Sequence, residues 1–202
     1  MDIILSLPSV LFAITIHEYA HAYVATRLGD PTPYFAGRLT LNPIKHIDPI
    51  GAVVFLLTRF GWAKPVPVDA ARLGPKGMKL VSLAGPMSNL LAGIASGLLT
   101  RFVPHTRFFY TLFLILYLSF MLNIAFAIFN LIPIPPLDGS HILETSLPLR
   151  YRLQYRRLAV YSPIILITII IADRMFGIGI LWGWIGPIIR ILSNLVVGTS
   201  YL

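Results

Sequence analysis

The chain has 202 residues, of which 56% are hydrophobic and only 12% are charged. This balance excludes an ordinary soluble domain and predicts an all-α polytopic membrane protein. Because the chain contains no cysteine, disulfides and thiolate metal sites are excluded as well. The net charge of +8 comes without a basic run or an RNA-binding signature, so we expect contact with membrane lipid and not with nucleic acid.

Five apolar segments reach or approach the roughly 20 residues that a membrane-spanning helix needs. They are residues 3–28, 78–100, 108–131, 158–172 and 178–197. Either of the last two could instead lie along the membrane interface or form part of a helical hairpin. We therefore predict about five transmembrane helices. A core over residues 1–146 would contain three spans and a long loop, and residues 147–202 would form a C-terminal helical pair.

The first apolar segment carries the sequence His17-Glu18-Tyr19-Ala20-His21. Histidines at i and i+4 share one helical face, the spacing that lets two imidazoles bind one Zn²⁺. Glu18 is adjacent to the first histidine and could act on a water that the metal activates. Ionisable groups at bilayer depth are costly unless they have partners or a function, so a metal site is a better interpretation than a solvated polar face.

The loop between the first two spans, residues 29–76, has features of a small sheet. Residues 35–41, which include Arg38, alternate as a strand does, and residues 62–68 are predicted to be extended because their prolines disfavour helix. Residues 51–60 are apolar but cover only half a span, which indicates a re-entrant or interfacial piece. We predict a small re-entrant β-hairpin or sheet near the metal site; surface turns anchored by aromatic residues are the alternative.

A catalytic zinc site usually has three protein ligands and an open fourth position, so a third ligand must come from elsewhere in the chain. Of the eight acidic residues, only Asp138 and Glu144 follow a spanning segment that ends on the same side as His17 and His21. Three prolines before Asp138 open the backbone where a carboxylate could meet a metal. Asp138 could equally be a helix N-cap, and Glu144 or His141 could be the ligand instead.

Three ordered motifs make the chain recognisable. They are Ile16-His17-Glu18-Tyr19-Ala20-His21, Gly85-Pro86-Met87-Ser88-Asn89, and residues 130–139, which follow the pattern N-x-x-P-x-x-P-L-D-G. They resemble the site-2 protease family of intramembrane zinc metalloproteases, in the compact bacterial form that lacks PDZ and CBS domains. Further pieces of the family's intervening loop match residues 37–43, 48–51 and 61–68. The resemblance covers about residues 10–145.

The resemblance implies that His17, His21 and Asp138 are the zinc ligands and that Glu18 is the catalytic base.

It also implies further site residues. Asn130 and Asn89 would assist substrate or oxyanion binding, although Asn89 also fits a helix–helix hydrogen bond. His141 is predicted to lie behind the metal ligands. Arg38 is predicted to lie on an edge strand that pairs with an unwound substrate segment.

The sequence therefore predicts a zinc-dependent metalloendopeptidase that cuts in or near transmembrane segments of membrane-protein substrates, in regulated intramembrane proteolysis. A non-catalytic zinc scaffold and a metal transporter are the alternatives. Structural zinc usually has four protein ligands, and a transporter needs carboxylates along a path, which the other apolar segments lack.

The basic residues predict the topology. Twelve of the sixteen fall on one side of a five-span arrangement, eight of them around the first long loop and four after the third span. The positive-inside rule then places the N-terminus outside the plasma membrane and the active site toward the cytoplasm. No sequence feature defines an oligomeric state.

Overall fold

The computed structural model describes residues 3–58, 61–104 and 106–198. Within these ranges the chain forms nine α-helices and a 3-10 turn at Pro43–Lys45. The helices are α1 (Ile3–Arg27), α2 (Thr32–Phe35), α3 (Pro49–Thr58), α4 (Ala70–Thr100), α5 (Tyr110–Asn130), α6 (Asp138–Ser146), α7 (Leu149–Ala159), α8 (Ser162–Phe176) and α9 (Ile180–Val196). The all-helical character that the composition predicts is confirmed for the described residues.

Three long helices, α1, α4 and α5, pack against one another and form the centre of the fold. Glycines on α4 allow this close packing. A Cβ at Gly93 would lie 2.8 Å from Cδ1 of Ile124, and one at Gly97 would lie 2.8 Å from Cδ2 of Phe120. Ile124 and Phe120 are fully buried and belong to a cluster that includes Ile185 of α9. Small residues at helix contacts are typical of helices that associate within a membrane.

Asp30 ties the end of α1 to the start of α4. Its side chain accepts hydrogen bonds from the backbone N–H groups of Thr32, at 3.0 Å, and Asp69, at 2.7 Å. Burial would raise the pKa of Asp30, but the side chain of Thr32, these two N–H groups and the charge of Arg72 hold it below its usual value near 3.8. Asp69 in turn caps α4, because its side chain accepts from the N–H of Arg72.

The prediction of five spans is not confirmed. Among the described residues, α4 and α5 are long and apolar enough to cross a membrane, and the bent pair formed by α7 and α8 adds a third if it acts as one span. With 15 and 17 residues, α8 and α9 extend about 23 and 26 Å, short of a hydrocarbon core of about 30 Å. The 25-residue α1 has the length to span, but it carries the two histidines and Glu18.

The predicted β-hairpin is wrong for the described part of the loop. The β contact found there is an isolated antiparallel bridge between Ile47 and Ala63. Residues 35–41 do not form a strand, because proline at the start of α2 initiates a helical turn and Gly37, with φ 65°, ends it. The N–H of the next residue, Arg38, donates back to the carbonyl of Pro33 at 2.9 Å. Turn-forming residues therefore outweigh the alternating pattern.

The other two loop segments have simpler outcomes. Most of the apolar segment 51–60 belongs to α3, a ten-residue helix, and its residues 59–60 lie outside the described ranges. Residues 62–68 contain no helix, as their prolines predict. Within this segment only Ala63 forms a β-bridge.

Candidate metal centre

His17 and His21 lie one turn apart on α1, and their imidazole rings converge. Their Nε2 atoms are 3.0 Å apart, and both residues are buried, with 5% and 8% of their surface exposed. The i, i+4 spacing accounts for this geometry, because residues four apart share a helical face.

Asp138, at the start of the helix that follows α5, brings a carboxylate to the same point. Its Oδ2 lies 3.1 Å from Nε2 of His17 and 3.3 Å from Nε2 of His21. The turns of residues 131–137 separate α5 from α6, so Asp138 becomes the first residue of α6. The N-cap position is taken by Leu137, so the capping alternative for Asp138 is not observed.

The outer nitrogen of each imidazole has a defined partner. Nδ1 of His21 lies 2.7 Å from the carbonyl oxygen of Val81, which can only accept a hydrogen bond. Nδ1 of His17 lies 2.6 Å from Oδ1 of Asn89. Both imidazoles therefore carry their proton on Nδ1 when neutral, which leaves the two Nε2 lone pairs facing Asp138. Such outer partners are typical of metal-binding histidines.

This donor set fits a zinc ion. The three ligand atoms lie within 4.8 Å of one another, and the separations of 3.0 to 3.3 Å match the roughly 3.3 Å expected between ligands about 2.0 to 2.1 Å from a tetrahedral metal. Oδ2 of Asp138 is buried and has no hydrogen-bond partner in the described structure. Two lone pairs and a carboxylate oxygen at this distance repel one another unless a cation lies between them. Three ligands leave the fourth position open.

Glu18 is buried beside the two histidines, with 8% of its surface exposed. Its Oε2 has no hydrogen-bond partner among the described residues. Arg38 is also buried; its guanidinium donates to the carbonyl of Lys64 and lies 3.5 Å from Nδ1 of His46, while its Nε lacks a described partner. Burial lowers the pKa of Arg38, and the negative charge of Glu18 opposes that shift.

Gly85 of α4 packs directly against the imidazoles. A Cβ at this position would lie 2.4 Å from Nε2 of His21 and 2.7 Å from Cε1 of His17. Any side chain larger than hydrogen would therefore collide with the ligand atoms. This contact gives a physical reason for glycine at the start of the segment Gly85–Asn89 and explains how α4 can approach the site so closely.

The other site residues predicted from the sequence differ in how they relate to the three metal ligands. Asn89 contacts His17, as described above. Asn130 is partly buried at the end of α5, and its amide donates to the carbonyl of Phe126 at 3.0 Å. His141 is exposed on α6, and its side chain has no described contact with the three ligands, so the structure does not place it behind the metal site.

Two groups that support the metal ligands were not predicted from the sequence. The carbonyl of Val81 could not be found from residue type, because every residue has one. Asn123, which hydrogen-bonds to Asn89, did carry a signal, since a polar side chain inside an apolar spanning segment is costly without a partner.

Comparison with known proteins agrees with this site. The profile of peptidase family M50 matches residues 105–172. YwhC of Bacillus subtilis, named as a candidate zinc metalloprotease, is 38% identical over 188 residues, which is 86% of this chain and 82% of YwhC. Rip2 of Mycolicibacterium smegmatis, named in the same way, is 34% identical over 152 residues, covering 71% of this chain and 58% of Rip2.

A more distant relative is the zinc metalloprotease MJ0392 of Methanocaldococcus jannaschii, which is 27% identical over 139 residues, or 69% of this chain and 33% of that protein. No solved structure matches the chain.

The chain is apolar and helical, with two histidines and a glutamate on one helix and a carboxylate from a later turn. Together with its relatives, this site defines a zinc metallopeptidase of the membrane. The chain belongs to peptidase family M50, the site-2 protease family. It is therefore a zinc-dependent enzyme that acts on protein substrates.

Proposed function

We propose that this peptidase cuts peptide bonds in or near the transmembrane segments of membrane-protein substrates, and that it serves regulated intramembrane proteolysis. The observation that carries the proposal is the convergence of His17, His21 and Asp138 beside the buried Glu18, at the contact between apolar helices. A site in this position is reached most directly by a substrate segment that also lies in the membrane.

In this proposal His17, His21 and Asp138 hold the zinc ion. When bound there, zinc polarises the scissile carbonyl and makes water a stronger acid. Glu18 takes a proton from the attacking water on its unpartnered Oε2 and passes it to the leaving amine. Asn130 has a second amide N–H beyond the one given to Phe126, and this hydrogen donates to the carbonyl oxygen of the substrate as negative charge develops there.

A helical substrate hides its carbonyls in backbone hydrogen bonds, so it must unwind before attack, and each unpaired group in lipid costs several kcal/mol. The edge strand that was predicted to pair with unwound substrate does not form. Arg38 therefore contributes through its side chain. Its buried charge stabilises the carboxylate of Glu18.

We further propose that α1, α4 and α5 form a three-span core in the plasma membrane, with the N-terminus outside. The basic residues of the loop after α1 and of α7 then both lie in the cytoplasm. His17 and His21 are in the second half of α1, toward that side. The scaffold and transporter alternatives gain no support, because no fourth protein ligand is found among the described residues.

The test is cleavage of a panel of single-span reporter proteins by the purified enzyme in liposomes, with zinc content measured on each variant. Glu18→Gln should bind zinc and lose cleavage. The chain has one other glutamate, Glu144, which pairs with Arg156, so Glu144→Gln is the matched control and should cleave normally. Cleavage by Glu18→Gln at the wild-type rate would refute the assigned role. A soluble reporter is run beside the panel, and its cleavage with no cleavage of any single-span reporter would refute the membrane substrate.

A further inference from the structure

Asn123 is a fully buried amide in the middle of α5, surrounded by one of the most apolar stretches of the chain. It does not contact the zinc ligands, and the chemistry proposed above does not use it. Its side chain nevertheless joins a continuous series of hydrogen bonds that ends at His17.

The series crosses three helices. Nδ1 of His17 on α1 lies 2.6 Å from Oδ1 of Asn89 on α4. Nδ2 of Asn89 donates to Oδ1 of Asn123 on α5 at 2.8 Å and to the carbonyl of Ala13 at 2.9 Å. Nδ2 of Asn123 donates to the carbonyl of Ser119 at 2.8 Å and to its Oγ at 3.3 Å. Both asparagines are 0% exposed, so water cannot replace any of these partners.

The donors and acceptors of this series allow one arrangement. Backbone carbonyls only accept, so the carbonyl of Ser119 directs Nδ2 of Asn123 toward itself and leaves Oδ1 of Asn123 facing Asn89. Asn89 then uses both of its N–H groups, one on Asn123 and one on Ala13. Its Oδ1 is left to face His17, and an oxygen there requires Nδ1 of His17 to be the donor. The Nε2 lone pair of His17 is thereby directed at the metal position.

We infer that Asn123 is a positioning residue for the metal centre: it holds the amide of Asn89 in the orientation that keeps His17 protonated on Nδ1 with Nε2 free for zinc. The inference rests on the zinc site proposed above. Without Asn123 one N–H of Asn89 loses its acceptor in a site that water does not reach. The amide then turns to recover a partner, and His17 loses the fixed oxygen that orients it.

The experiment measures zinc affinity of the full-length protein in detergent, by competition with a chromophoric chelator, on the folded fraction only. Asn123→Leu should bind zinc about tenfold more weakly, at the lower end of the loss seen for outer partners of metal ligands. Asn123→Ala removes the same hydrogen bonds without adding volume and is measured in parallel, in case leucine does not pack. Ile124→Val removes a methyl from the adjacent, equally buried residue and should leave zinc affinity unchanged.

A double-mutant cycle separates positioning from simple helix packing. If Asn123 acts through Asn89, the variant carrying both Asn89→Leu and Asn123→Leu binds zinc no more weakly than Asn89→Leu alone. Wild-type zinc affinity in Asn123→Leu and Asn123→Ala, or additive losses in the double variant, would overturn the inference while leaving the zinc site intact. Failure of the wild-type protein to bind zinc would overturn both.

Discussion

Replacement of Gly85 by alanine tests how tightly the metal centre is built. The added Cβ would lie 2.4 and 2.6 Å from Nε2 and Cε1 of His21, whereas ordinary contacts begin near 3.4 Å. Because Nδ1 of His21 is held by the carbonyl of Val81, the ring cannot simply rotate away. The end of the imidazole must shift by about 1 Å, a misplacement that can lower an enzyme's rate about 100-fold, or about 2.7 kcal/mol of activation free energy.

Cleavage of a reporter substrate and zinc affinity are measured together for Gly85→Ala. Both should fall, and added zinc should restore only part of the activity, because the ligands remain displaced.

Two matched glycine variants serve as controls. Gly183→Ala on α9 places its Cβ in open space and should be neutral. Gly97→Ala also introduces a tight contact, 2.8 Å from Cδ2 of Phe120, but away from the metal ligands. It should lower the thermal stability and leave zinc affinity unchanged. If Gly85→Ala binds zinc and cleaves the reporter as the wild type does, α4 does not pack against the imidazoles as closely as described here.

Two further predictions concern the loop after α1. Asp30→Asn should destabilise the protein at pH 7 by about 1 to 3 kcal/mol, because an amide cannot accept from both Thr32 and Asp69. Since the folded-state pKa of Asp30 lies below its usual value, its contribution is complete above about pH 4 and is lost as the pH falls through the folded pKa. The difference in Tm between wild type and Asp30→Asn should therefore shrink on acidification, and a constant difference would contradict this account. Arg38→Gln should lower the cleavage rate by roughly 10-fold with zinc content unchanged, because its charge stabilises the Glu18 carboxylate while its own hydrogen-bond partners are Lys64 and His46 and not the metal ligands; an equal loss of zinc would instead show that Arg38 maintains the fold of the site.

The part of the site that could be predicted from the sequence is the part that local geometry determines. The i, i+4 relation of His17 and His21 follows from the helix itself, so their convergence needs no knowledge of the fold. Asp138 is different, because its distance from the histidines depends on how α6 packs against α4. Reasoning from its surroundings alone therefore left ligand and N-cap equally open, and the family resemblance favoured the ligand.

The errors have equally specific causes. Residues 35–41 alternate as a strand does, but the proline-initiated turn of α2 and the positive φ of Gly37 prevent one. Arg38 was placed on the sheet edge by the same pattern, although it is buried and bound to the carbonyl of Lys64. The two C-terminal segments were predicted from their apolar composition to span the membrane or to lie along its interface. Each of α8 and α9 is short of a full span, and α8 reaches span length only as a bent pair with α7.

The distribution of the three ligands over the chain has a consequence for the stability of the protein. Two lie on α1 and the third begins α6, with more than half of the chain between them. A zinc ion bound here would close a loop of that length, and cross-links that close long loops remove the most entropy from the unfolded chain. A ligand that binds only the folded protein also stabilises it in proportion to the logarithm of its concentration. Zinc supply would then set how much of the enzyme is folded as well as how fast it works.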